Sequence, residues 1–83
     1  MPNILGPTNF NRAAWAAETL SVFRHRTGCD YEDALGDLLS DLMHWADQHE
    51  FDFEAALIRA RDHHACEVAE EAAYIERVKG GAL

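Results

Sequence analysis

Eighty-three residues of 9.3 kDa, 48% hydrophobic, with a net charge of −8, make a single small domain. A chain of this size buries about 60–65% of the surface its unfolded form exposes, so one modest core is the limit. No apolar run reaches the ~18 residues of a membrane span. Fifteen acids against seven Lys and Arg oppose direct nucleic-acid binding, because phosphate neutralisation needs a basic surface.

The first residues, Met1-Pro2-Asn3-Ile4-Leu5-Gly6-Pro7, lack the basic flank and long apolar stretch of a secretory signal. The two cysteines, Cys29 and Cys66, are too few for a disulfide framework and form no Cys-x-x-Cys pair. The expectation is a cytoplasmic chain with two reduced, partly buried thiols.

In chain order, residues 1–8 read as an irregular arm punctuated by Pro2, Gly6 and Pro7. A single helical domain over 9–79 follows, and 80–83 read as a flexible C-terminus. Thr8 or Asn9 is suited to cap a first helix, since either side-chain oxygen can accept a hydrogen bond from the first turn. Phe10 to about Arg26 favour helix, and Gly28 suits the left-handed position just past its end. Asp30 is the expected cap of a second helix reaching Gln48 or His49, with Glu32 and Asp33 placed where the helix dipole favours negative charge. Asp52 opens a third, from about Phe53 to Val78, before Gly80-Gly81 release the chain. Asp30-Tyr31-Glu32-Asp33-Ala34-Leu35 is echoed by Asp52-Phe53-Glu54-Ala55-Ala56-Leu57, the same helix-start solution used twice. With no β-alternation, the fold class is all-α: a three-helix bundle in which helices two and three form an antiparallel hairpin and helix one packs across it.

Helix two carries Leu35, Leu38, Leu39, Leu42, Trp45, Ala46 and His49 at three- and four-residue intervals, one broad apolar face edged by Met43. Gly36 within it is read as a packing glycine. Helix one is apolar on two sides. Phe10, Ala13, Ala17, Leu20 and Arg24 form one stripe, and Trp15 and Val22 lie elsewhere. Either helix one is sandwiched between the others, or Trp15 and Val22 meet a second chain, giving a dimer. Helix three aligns Phe53, Leu57, His64, Val68, Ala72 and Ile75, with Ile58, Ala65 and Ala69 beside them. His64 is then a core histidine, and Arg61 is placed to reach an acid of helix two.

No nucleophile stands beside a His-Asp arrangement, and no Gly-rich phosphate loop exists, so no catalytic residue is assigned. Asp41-x-x-His44, His63 with Glu67, and His64 with Glu67 have metal-ligand spacing. They lie off the main apolar faces or lack partners, so neither metal nor cofactor is assigned. The remaining feature is the polar side of helix two. Asp33, Asp37 and Asp41 follow one another a turn apart, with His44 and Asp47 nearby. No Lys or Arg occurs from Asp30 to Glu54. Such a rigid array of carboxylates can imitate nucleic-acid phosphates and dock on an Arg/Lys-lined protein surface. The expected partner-binding residues are therefore Asp33, Asp37, Asp41, His44 and Asp47, with Trp15 as an aromatic anchor.

Two stretches of the chain resemble known proteins. Ala34-Leu35-Gly36-Asp37-Leu38-Leu39, Leu42, Ala46-Asp47 and Phe51-Asp52-Phe53-Glu54-Ala55-Ala56-Leu57 resemble the latter half of the all-α, MazG-like nucleoside-triphosphate pyrophosphatases. That likeness implies a helical architecture and matches Asp37 to a metal-binding Asp. The family's acid three residues earlier is Ala34 here, and its preceding Glu-x-x-Glu pair is missing, Glu18 being the one acid of helix one. Asp37-Leu38-Leu39-Ser40-Asp41-Leu42-Met43-His44-Trp45-Ala46-Asp47, Phe51-Asp52-Phe53-Glu54 and Ala60-Arg61-Asp62-His63-His64 resemble small acidic proteins of bacterial plasmids, phages and integrated elements. That likeness implies an accessory role in mobile-element biology, a setting that includes inhibitors of host defence such as anti-CRISPR proteins. The functional expectation is a protein-binding module or inhibitor. The alternatives are a degenerate MazG-like hydrolase and a homo-oligomeric structural protein.

Overall fold

A computed structural model describes residues 7–81. Three α-helices, α1 (Asn9–Thr27), α2 (Tyr31–Gln48) and α3 (Phe53–Gly81), account for almost all of it, with no strand among the described residues. The fold is all-α, as the sequence periodicity requires. Pro2 and Gly6, part of the expected arm, lie outside the described residues.

Local chemistry explains each boundary. Thr8 caps α1 reciprocally: its hydroxyl accepts from the Asn11 N–H, and the Asn11 side-chain oxygen accepts from the Thr8 N–H at 3.0 Å. Gly28, at φ 74°, ends α1 in the left-handed conformation and donates its N–H to the Arg24 carbonyl at 2.7 Å. Arg24, His25 and Arg26 occupy the last turn, where positive charge complements the helix dipole. Asp30 takes the cap position of α2, yet its side chain makes no capping hydrogen bond. Asp52 does cap α3: its carboxylate accepts from the Ala55 N–H at 3.0 Å. α3 continues through Gly80 to Gly81, past the expected end at Val78.

The turn between α2 and α3 has a less expected solution. Glu50 adopts φ 60°, the left-handed region, without being glycine. The Phe51 N–H then donates back to the Ala46 carbonyl at 2.9 Å, the six-residue closure of a Schellman turn. Trp45 stacks on Phe51 with ring centroids 5.2 Å apart, and on His49 at 4.5 Å. This aromatic triplet supplies the hydrophobic contact that such turns use to hold their geometry.

Tertiary packing is thin. Each helix touches the other two, but the only fully buried hydrophobic side chains among the described residues are Ala34 (1% exposed) and Ala46 (4%), both on α2. Leu20, Phe23, Leu38, Phe53 and Leu57 are half-buried around them. Arg24 lays its guanidinium 3.5 Å over the Tyr31 ring across the α1–α2 corner, and its Nε finds no hydrogen-bond acceptor. The far end of α1 is clamped to α3. Arg12 Nε meets Glu67 Oε2 at 2.9 Å, and Asn9 Nδ2 donates to the Glu67 carbonyl at 3.1 Å. The radius of gyration, 16.6 Å, exceeds the about 12 Å of a compact domain of this length.

Several expectations need correction against this packing. Trp45 is 49% exposed, because its ring stacks within the turn instead of beneath another helix. His64 is exposed, covered by neither α1 nor α2, and Arg61 is exposed with no ion pair to α2. Cys66 is exposed as well, and Cys29 is half-buried. A Cβ added at Gly36 would meet no atom within 4 Å, so no close helix approach depends on that glycine. Half of the leucine face of α2 stays open: Leu35, Leu39, Leu42 and Met43 are exposed.

Candidate functional site

The acidic residues of α2 project from a helix whose ends are both defined, so their spacing is fixed by helix geometry. Four residues advance the helix by about 6 Å and return to nearly the same side. Asp33, Asp37 and Asp41 thus form a ridge about 12 Å long. All three are exposed, and so are His44 and Asp47. The helix places this ridge away from the strip of Leu35, Leu39 and Leu42, because polar and apolar residues alternate with the helical period.

The electrostatic state of the ridge is set by what does not reach it. The ion pair among the described residues is Arg12–Glu67, and none of Asp33, Asp37, Asp41 or Asp47 takes part in one. No basic residue stands in the last turn of α2. The ridge is therefore a row of solvated carboxylates, without the partial neutralisation that flanking lysines give most exposed helices. Trp15, 55% exposed, sits on α1. It is available as an aromatic contact on a different element from the ridge.

No group of three or more His, Cys, Asp or Glu side chains that could hold a metal ion occurs among the described residues. Asp41 with His44, and His63 or His64 with Glu67, therefore stay as pairs without a third donor. Glu67 is instead engaged by Arg12 and spans the two helices structurally. A groove of about 460 Å³ lies beside this clamp, lined by Pro7, Thr8, Arg12, Glu70, Tyr74 and Arg77 among others. No helix of the described residues is long and apolar enough to cross a membrane.

Sequence reasoning did not identify the Arg12–Glu67 clamp or the Arg24–Tyr31 contact. The first joins residues far apart in the chain, which periodicity on either helix alone does not pair. The second left a trace, since Arg24 falls on the apolar stripe of α1. No protein-family model matches the chain, and neither does any curated protein or solved structure.

Proposed function

We propose that this protein is a small acidic binding module that docks the Asp33, Asp37 and Asp41 ridge, flanked by His44 and Asp47, on a basic surface of another protein. The row of exposed carboxylates, with no ion-pair partner among the described residues, carries this reading. Solvent-exposed carboxylates are open to a partner's Arg and Lys, and they speed encounter by long-range attraction. The surface that best fits such a row is one built for phosphates. The partner class is accordingly a nucleic-acid-handling protein or complex, and the role is that of a cytoplasmic mobile-element accessory protein or inhibitor of host defence. Trp15, exposed on α1, adds an aromatic anchor.

The supporting scaffold in this reading is a three-helix bundle, with α2 and α3 as an antiparallel hairpin and α1 across it, working as a dimer. The departures from the MazG-like pattern, Ala34 in place of an acid and no Glu-x-x-Glu pair in α1, favour binding over metal hydrolysis.

The test compares the natural protein with an Asp37→Lys/Asp41→Lys variant as baits in bacterial lysate. The expected result is a captured protein with a basic surface, lost from the variant and eluted by raised salt, while circular dichroism shows equal helix content. Equal recovery by both baits would remove the reading.

A further inference from the structure

We infer that the outward face of α3 is the seam on which two copies of this chain pair, antiparallel, in the register that sets Ile58 of one copy against Ile75 of the other. The inference rests on the dimeric part of the reading above and not on the acidic ridge.

Three observations lead to it. The first is area. The accessible surface is 7184 Å², where a compact monomer of 9.3 kDa exposes about 5,000 Å². Residues 1–6 and 82–83, counted as fully unfolded chain, would contribute about 1,300 Å². At least about 900 Å² of excess then belongs to the described helices. That matches the about 800 Å² per partner of a standard interface. Among the described residues, the three helices already touch one another and leave this surface open.

The second is periodicity. Ile58, Arg61, Ala65, Val68, Ala72 and Ile75 follow at intervals of three and four, the repeat of a coiled-coil seam. All six are exposed, with Ile58 at 59%, Val68 at 50% and Ile75 at 47%. Glu67, held by Arg12, lies on another side of α3, so α1 leaves the seam clear.

The third is complementarity. In an antiparallel pair, facing residues have a constant sum of numbers. One register satisfies every layer at once. Ile58 meets Ile75, Arg61 meets Ala72, and Ala65 meets Val68, so each alanine faces a larger side chain and the Arg61 stem has an alanine to lie over. Continued outward, the same register sets Glu54 against Lys79, a closing ion pair repeated at both ends by symmetry. Shifting one heptad in one direction would set Arg61 against Lys79, and shifting in the other would leave Ile75 beyond the start of the partner's helix. α3 also holds four of the seven Lys and Arg residues, Arg59, Arg61, Arg77 and Lys79. Against six acids on the same helix, they leave two chains of charge −8 less repelled along α3 than along α2, which carries five acids and no Lys or Arg.

Sedimentation equilibrium on the full chain tests the pairing. A dimer is expected, with Val68→Glu/Ile75→Glu weakening association at least a hundredfold. The orientation is read in a Cys29→Ser/Cys66→Ser background. There, Ala65→Cys/Val68→Cys should oxidise to a covalent dimer, because a disulfide needs Cα atoms within about 7 Å, while Ala65→Cys alone should not. A monomer throughout would overturn both this inference and the dimeric reading. A dimer indifferent to the glutamates and without the crosslink would overturn the α3 seam alone. Crosslinking by Ala65→Cys alone would replace the antiparallel register with a parallel one.

Discussion

The two turns of this molecule reverse the chain by the same backbone device and support it differently. Between α1 and α2 the left-handed position is filled by Gly28, which adopts it without steric cost. Arg24 packs over Tyr31 nearby. Between α2 and α3 it is filled by Glu50, whose Cβ crowds the backbone there. The second turn offsets that strain with the Trp45, His49 and Phe51 stack and with a side-chain cap from Asp52. One turn is thus secured by local propensity. The other depends on contacts among side chains that are themselves half in water.

If that contrast is right, the greatest sensitivity lies in the aromatic stack. Trp45→Ala should cost about 2 kcal/mol, less than for a fully buried tryptophan because half its surface is already exposed. Urea unfolding at a fixed chain concentration would measure it, and a loss below about 0.5 kcal/mol would mean the stack is ornamental. Next come the left-handed positions, where opposite substitutions should have opposite signs. Gly28→Ala should destabilise by about 1.5 kcal/mol through conformation alone, since a Cβ there meets nothing within 4 Å. Glu50→Gly should stabilise by about 0.5 kcal/mol, the relieved strain being partly cancelled by the freer unfolded chain. Thermal melting of the two single variants would show whether the signs oppose. The smallest contrast lies in the aspartates that open α2 and α3. Asp52→Ala should cost about 1 kcal/mol. Asp30→Ala should cost only a few tenths, because its carboxylate accepts no hydrogen bond and contributes only through the helix dipole. Equal losses would show that the caps are equivalent in solution.

The echoed hexapeptides show how far sequence reasoning reached. Both aspartates stand at helix starts, as the motif implies. The motif alone does not separate the one that bonds from the one that does not. The residues differ at the third helical position, which is Asp33 after Asp30 and Ala55 after Asp52. The Asp33 N–H that the Asp30 carboxylate would need donates instead to the Asp30 backbone carbonyl at 3.1 Å. Helix number and boundaries were legible because capping chemistry and periodicity are local. The acidic ridge was legible for the same reason, and Asp33, Asp37 and Asp41 are exposed where the pattern puts them. Burial was not legible. The apolar period of α2 gives the direction of Leu35 and Leu39 but not whether anything stands opposite them. On that same incomplete ground the period places Trp45 and His64 in the core and aims Arg61 at an acid of α2, whereas all three are exposed. The left-handed Glu50 left no compositional sign, since the usual glycine is absent.

The two alanines at the centre carry one last implication. In most domains the gravest lesions are truncations, because a bulky buried group leaves a void when it is removed. Here the wholly enclosed positions are already among the smallest side chains, so there is little to hollow out. The damaging changes at these sites run the other way, toward added volume that pries the helices apart. At Ala34 and Ala46 growth costs more than trimming, which forfeits only the about 1 kcal/mol of an Ala→Gly change inside a helix.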